Sequence, residues 1–329
     1  MNKLLFSCLI ILFIAISIEV LLRTFFPLNQ SGNISNYKYN KDLGIKLKEE
    51  LNDIKITDHR QEVFTNKYGS LNYEDNFSKY DKLIFTIGDS NTQGVGVPFD
   101  SSYPFILYTE LNSLDNDNWG VINLALASYG TKQAFLIYEL SVEKFKKPDF
   151  VTYLADKNDY MSDIYFERGD KHKHLVHGSP RFFGLAKYLG IVSNEIEIMK
   201  RTKYLINKKN IDTNYHKIEK KFKKLYTENY SKKIININNK LKKEGITFIY
   251  SWNDIEKDKN KICKTEYNFV KKWASDNNVK FADWCPTFLK ITQLNNDIPV
   301  LNEHSASHAR SWINRIISNS FREEILKSN

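Results

Sequence analysis

The chain is poor in cysteine: Cys8, Cys263 and Cys285 are the only three in 329 residues. None belongs to a Cys-x-x-Cys pair or stands at Cys/His ligand spacing, which excludes a zinc ribbon or finger as the organising element. Internal repeats and long disordered tracts are absent, so the length points to one large core or a core plus a subdomain. The net charge is +9, yet no nucleic-acid-binding motif accompanies it, and a nucleic-acid partner is not expected. The lysines crowd residues 200–243 and read as the solvent side of an amphipathic helix, while a polyanionic glycan or an anionic lipid surface is the partner such charge would otherwise suit.

Long apolar runs are lacking everywhere but near the start, where Leu4 to Leu22 is interrupted only by Ser7, Ser17 and Glu19 and is bracketed by Lys3 and Arg23. At a rise of about 1.5 Å per residue, its roughly 19 residues nearly cross a ~30 Å hydrocarbon layer. The segment reads as an uncleaved signal anchor over residues 1–27. Ala15-Ile16-Ser17 offers a weak alternative cleavage site followed by bulky Ile18 and Glu19. Lys3 favours the inside, which puts the large domain on the extracytoplasmic side; if the signal were cleaved, the protein would be secreted. Exported, Cys263 and Cys285 could pair.

Residues 28–80 read as a linker and irregular lead-in, rich in Asn, Lys and Tyr. From Asp81 to the end, strand-like runs (Leu83 to Ile87, Val121 to Leu126, Phe150 to Leu154, Ile246 to Trp252, Val279 to Trp284) alternate with helical patterns. Alternation of this kind predicts an α/β fold with about five parallel strands and helices on both faces. Residues near 160–215 interrupt it as a helical insertion that could cap a site. Ile218, Phe222, Leu225, Tyr226, Tyr230, Ile234, Ile237 and Leu241 step by three and four, the pattern of one long amphipathic helix stopped at Gly245.

In such a sheet ligands bind beyond the carboxyl ends of the strands. Four chemistry-bearing pieces fall there. Gly88-Asp89-Ser90-Asn91 closes the first strand and puts Ser90 where a helix should begin, so that N–H groups face developing negative charge; the bland alternative is a helix cap. Asn123 to Gly130 leaves the second strand and reaches a glycine whose N–H could approach a substrate oxygen. After the third strand comes Asn158-Asp159, with the Asn158 amide as a candidate donor to the same oxygen and Asp159 as a brace; an ordinary turn is the alternative. His304 stands before the last helical pattern, taken to start near Ser305, and its imidazole could accept the serine proton. His308, four residues on, reads as a surface or supporting group.

These four blocks, in this order, resemble the SGNH (GDSL) hydrolase family from about Asp81 to the C-terminus, apart from the insertion. The resemblance implies a flavodoxin-like three-layer sandwich and ester hydrolysis through an acyl-enzyme, with neither metal nor organic cofactor. It makes Ser90 the nucleophile and first oxyanion donor, Gly130 and Asn158 the further donors, and His304 the base, with Asp89, Asn91 and Asp159 in support. Two positions depart from the family pattern. Asp156 stands where Gly-x-Asn-Asp has glycine, and Leu301 stands where the acid usually precedes the histidine, which leaves Asn302, Glu303 or Asp297 to orient His304. The expected substrate is an acylated saccharide of the cell envelope or another small ester. An O-acyltransferase using the same site and a non-catalytic glycan-binding domain are the other readings.

Overall fold

The computed structural model describes residues 36–56, 60–114, 117–167, 226–256, 260–302 and 305–329, with Ser7, Ile10, Ile11, Phe13, Ile14, Ser17 and Lys224 as single positions. The apolar N-terminal segment is therefore represented by six helical positions, and most of the expected insertion, with Ile218, Phe222 and Leu225, lies outside the described residues. Among the described residues no helix is long and apolar enough to cross a membrane.

Two hairpins open the described chain, β1 (Tyr37–Asn40) with β2 (Gly44–Leu47) and β3 (Asn52–Ile56) with β4 (Arg60–Phe64), each antiparallel. Then follow β5 (Lys82–Gly88), α1 (Ser90–Gln93), α2 (Tyr103–Leu114), β6 (Trp119–Asn123), α3 (Thr131–Val142), β7 (Phe150–Asp156) and α4 (Lys157–Glu167). The chain resumes with a π-turn, Tyr226–Tyr230, leading into α5 (Ser231–Lys243). It continues through β8 (Thr247–Asn253), α6 (Thr265–Asp276), β9 (Lys280–Phe281) and α7 (Cys285–Leu294). A last hairpin, β10 (Leu301–Asn302) with β11 (Ser305–Ala309), precedes α8 (Ser311–Leu326).

Strands β6, β5, β7, β8 and β9 form one parallel sheet in that order, which in sequence terms is 2-1-3-4-5, the flavodoxin-like arrangement. Every residue of β6 and β7 is buried, as expected of strands covered on both faces, whose sequences read as continuous apolar runs. The fifth strand is only Lys280–Phe281, shorter than the run Val279 to Trp284 suggests; Ala282 N–H still closes the ladder on Tyr250 O, and α7 begins at Cys285.

Residues 36–80 carry more structure than an irregular lead-in. Leu43, Ile45, Leu47, Val63 and Leu71 are buried with Phe99, Leu126 and Tyr129 in a second apolar cluster beside the main core. Tyr129 donates its hydroxyl to Ile45 O (2.7 Å) and Gln133 its amide to Leu43 O (2.7 Å), so the first hairpin is fastened to α3 and to the loop before it. Leu71 N–H bonds Asn123 O, and the Asn72 side chain bonds Val121 O and Asn123 N–H, along the outer edge of β6. The half-buried pair Arg322–Glu110 (3.1 Å) joins α8 to α2.

The amphipathic pattern before Gly245 is real but not one uninterrupted α-helix. The π-turn shifts its register, burying Tyr226 and Tyr230 before Ile234 and Leu241 continue the buried stripe, and Gly245 follows in the left-handed region at φ 73°. Its lysines are partly neutralised at home: Lys233 pairs with buried Asp163 (2.9 Å), and Lys240 pairs with Glu139. Cys263 and Cys285 form a disulfide with Cα atoms 5.6 Å apart, tying the segment before α6 to the start of α7.

Candidate active site

The carboxyl ends of β5, β6, β7 and β8 converge on one rim, at the point where the chain, having laid β6 on one side of β5, crosses to lay β7 on the other. Gly88 makes the exit from β5 possible. Its φ is +153°, and a Cβ there would lie 2.3 Å from Thr92 Oγ1 and 3.1 Å from Leu154 O, so a side chain is excluded both by conformation and by room. Asp89 then caps α1 by accepting the Asn91 N–H at Oδ1 (2.9 Å). Helix α1 is a single turn closed by Gly94 at φ 83°, so the Ser90 loop offers local N–H groups and no sizeable helix dipole.

Ser90 is almost buried, 9% exposed, and its hydroxyl donates to Asp89 Oδ2 at 3.3 Å. The Asn158 amide donates to the same oxygen at 3.1 Å, across 69 residues of sequence. The structure thus brings Ser90, Asp89, Asn91, Asn158 and Asp159 together. Asp159 Oδ2 accepts the Asp156 N–H (3.0 Å) and the Tyr153 hydroxyl (2.6 Å), which in turn meets Thr131 Oγ1 and the Tyr230 hydroxyl, each at 3.0 Å. A brace for the Asn158 loop is what Asp159 supplies. Asn91 Oδ1, Asn158 Oδ1 and Asp159 Oδ1 are buried without a hydrogen-bond partner, a concentration of unspent polar valence unusual in a packed interior.

The loop after β6 is pinned to α1: Asn123 Nδ2 donates to Thr92 O (3.0 Å), and Ala127 N–H donates to Gln93 Oε1 (2.6 Å). Gly130 itself caps α3 with extended backbone, its N–H directed to Gln133 Oε1 at 3.4 Å. Its missing side chain serves packing, since a Cβ would lie 2.5 Å from Asp163 Oδ1 and 2.7 Å from Asp159 O. The left-handed residue of this loop is Ser128, at φ 70°.

Glu303 and His304 lie outside the described residues, and so does the side chain of Asn302. The strands flanking them, β10 and β11, pair with each other, and β11 packs beside α1, the turn that carries Ser90. Ser305–Ala309 is strand rather than the first turn of the last helix, which begins at Ser311; His308 therefore sits on β11. Asp297 is exposed in the loop after α7.

Two more side chains complete the rim: Asp156, which the sequence marks only as a departure from the family pattern, and Asn253, which no motif marks. Asp156, the last residue of β7, accepts the Asn253 amide at Oδ2 (2.6 Å), the Asn91 amide at the same oxygen (3.4 Å) and the Asn158 N–H at Oδ1 (3.1 Å). Asn253 ends β8, and its place at a parallel strand's carboxyl end is the signal that points to it. Burial raises the Asp89 carboxyl above its ordinary range, against the hydrogen bonds that favour its charge. Asp156 is raised to about 6 by burial and by the neighbouring Asp89 charge, and Asp159 is raised well above the usual carboxylate range by burial together with Asp89 and Asp156. Asp254, the next residue after β8, is raised to about 7 by burial and by Glu266. Among the described residues no group of three or more His, Cys, Asp or Glu side chains is arranged to hold a metal ion.

No family model matches the chain, and no curated protein is similar to it. Solved structures are similar in fold. An acetyl xylan esterase from Geobacillus stearothermophilus is 16% identical, with 75% of this chain and 95% of that one covered and a TM-score of 0.43. The psychrotrophic esterase EstA from Pseudoalteromonas sp. is 12% identical, covering 75% and 98% at a TM-score of 0.41. A member of the lipolytic protein G-D-S-L family from Veillonella parvula is 14% identical, covering 74% and 97% at a TM-score of 0.38.

Proposed function

We propose that the protein is a serine esterase that removes an O-acyl group, with an acetyl ester on a cell-envelope saccharide as the substrate class. The observation that carries this reading is the meeting of Ser90 and Asn158: a hydroxyl at the end of β5 and an amide after β7 share one carboxylate oxygen, Asp89 Oδ2, at 3.3 and 3.1 Å. Nucleophile and oxyanion donor are thereby held together on one rim, and the unpartnered amide and carboxylate oxygens around them fit a site built for a polar ligand.

In this reading Ser90 Oγ attacks the acyl carbon while its proton passes to His304. The negative charge developing on the carbonyl oxygen is met by the Asn158 amide and backbone N–H groups of the Ser90 and 124–130 loops. Collapse expels the alkoxide, which takes the proton from the imidazolium and leaves an acyl-enzyme. Water, deprotonated by the same imidazole, then releases the carboxylic acid and restores Ser90. Placement of β11 beside α1 supports His304 as the base, since the histidine directly precedes that strand.

The N-terminal segment is proposed to anchor the protein in a membrane with this domain on the extracytoplasmic side. The Cys263–Cys285 disulfide suits an oxidising compartment. Along the anchor, Ile11 and Phe13 are 67% and 72% exposed on helical positions, as apolar side chains facing lipid would be.

The test is fluorophosphonate labelling of the full-length protein, mapped by mass spectrometry, with a short-chain aryl ester assay in parallel. Labelling is expected at Ser90, lost in Ser90→Ala and His304→Ala together with turnover. Asn158→Ala should lower kcat roughly 10²- to 10³-fold. A folded protein that neither labels nor turns over ester overturns the proposal. Formation of an acylated sugar, with slowed hydrolysis when a saccharide acceptor is added, would instead identify an acyltransferase.

A further inference from the structure

Asp156 is the carboxylate on which the asparagines of this rim converge. It is 8% exposed, and donors reach both of its oxygens: the Asn158 N–H at Oδ1 (3.1 Å), and the amides of Asn253 (2.6 Å) and Asn91 (3.4 Å) at Oδ2. Its own N–H bonds Asp159 Oδ2. Three elements are therefore gathered on a single carboxylate: the end of β8 through Asn253, the nucleophile turn α1 through Asn91, and the first turn of α4 through Asn158. An asparagine at this position could accept on one side only: depending on its flip, its amide nitrogen would face either the amides of Asn253 and Asn91 or the Asn158 N–H, donor against donor. A glycine would accept at neither. Holding a carboxylate here is costly, because the site is buried and Asp89 lies close enough to repel it. The donors that converge on it offset that cost, and Lys157 beside it helps.

We infer that Asp156, seated on Asn253, is a positioning residue for the Ser90 reaction: it fixes Asn91 and the backbone of Asn158 so that the Asn158 amide and the Ser90 hydroxyl present themselves to the same acyl carbonyl. Asp156 touches neither substrate nor reacting atoms in this role; it acts through Asn158 and Asn91. The inference rests on the esterase reading and adds to it the residue that sets its geometry.

The experiment uses the full-length protein with an aryl acetate, comparing wild type, Asp156→Asn, Asn253→Ala and the exchange Asp156→Asn/Asn253→Asp. Asp156→Asn is expected to lower kcat roughly 10- to 100-fold with KM within about twofold, as misplacement of a group that acts in the transition state does. Phosphonate labelling of Ser90 should slow in parallel, and Asn253→Ala should show a smaller effect of the same kind. The exchange variant restores a donor–acceptor pair between positions 156 and 253 and should recover at least a tenth of the lost kcat. Thermal melting separates positioning from folding. If Asp156→Asn keeps wild-type kcat and labelling rate, the inference is overturned while the esterase reading stands. If kcat falls only in proportion to a lost folded fraction, and the exchange restores melting but not turnover, Asp156 is a packing residue and the inference is again overturned. Absence of labelling and turnover in the wild type itself overturns the esterase reading and this inference with it.

Discussion

At the scale of single residues the rim is governed by what each backbone position permits. Gly88→Ala would thrust a methyl group to within 2.3 Å of Thr92 Oγ1 at a φ of +153°. A strained position of this kind costs roughly 1–3 kcal/mol, and relief would shift the turn that carries Ser90. The variant should melt lower and lose about 100-fold in kcat/KM, checked by calorimetry and the ester assay together. Gly88, Asp89, Ser90 and Asn158 are legible in the sequence because a strand-end motif announces them. The pairing of Asp156 with Asn253 is not: the first shows in the sequence only as a departure from a motif, the second as a plain polar residue closing an apolar strand, and only the register between β7 and β8, which makes them Cα partners, sets them side by side. Gly130 adds a constraint the sequence does not show, since close packing on Asp163 by itself requires a glycine there.

Elements differ in how plainly they are written. Strands β5 to β8 carry apolar runs, and helices α6 and α8 a clear 3.6-residue apolar stripe, and these are readable. Strands β1 to β4 are four or five residues long and mix Lys and Asn with their apolar residues, so their pairing leaves little trace. Helix α7 follows the disulfide with Pro286 in its first turn, a start signal that is easily taken for the end of a strand. The disulfide spans a separation of 22 residues, for which loop-closure entropy corresponds to about 3 kcal/mol. Cys263→Ser/Cys285→Ser should therefore melt several degrees lower, and wild type treated with dithiothreitol should follow it. Since Cys263 N–H bonds Asp254 Oδ2 at 2.8 Å, the same change loosens the rim beside Asn253.

For the molecule as a whole, burying several carboxylates on one rim gives stability a characteristic dependence on pH. Asp254, raised from 3.8 to about 7 by burial, then by Glu266, with Glu256 adding to the shift and Lys157 opposing it, binds its proton more tightly folded than unfolded. Its contribution is thus fully present at low pH and declines as pH rises from about 4 to about 7, where the folded state must give up a proton the unfolded chain has already lost. Asp254→Asn removes this term. The variant should melt with wild type near pH 4 and a few degrees above it at about pH 8, and a difference that grew toward acid would contradict the assignment. The five-stranded architecture is legible from the alternation of elements, and its 2-1-3-4-5 order fixes where the rim lies. The extent of the folding unit is less so, because composition drew its start near Asp81 while the packing draws it earlier.

That earlier start has a practical consequence at the outer edge of β6. Leu71 and Asn72 occupy the hydrogen-bonding groups of Val121 and Asn123 there, and the first hairpin covers the apolar surface beside them. A protein cut at residue 81 would present an apolar parallel strand with its N–H and C=O groups unpaired, a template for strand addition by another copy. Such a truncation should aggregate on expression, whereas one cut just ahead of Asn36 should elute as a discrete species in size-exclusion chromatography. The segment that looks like a tether works as the sheet's guard against self-association.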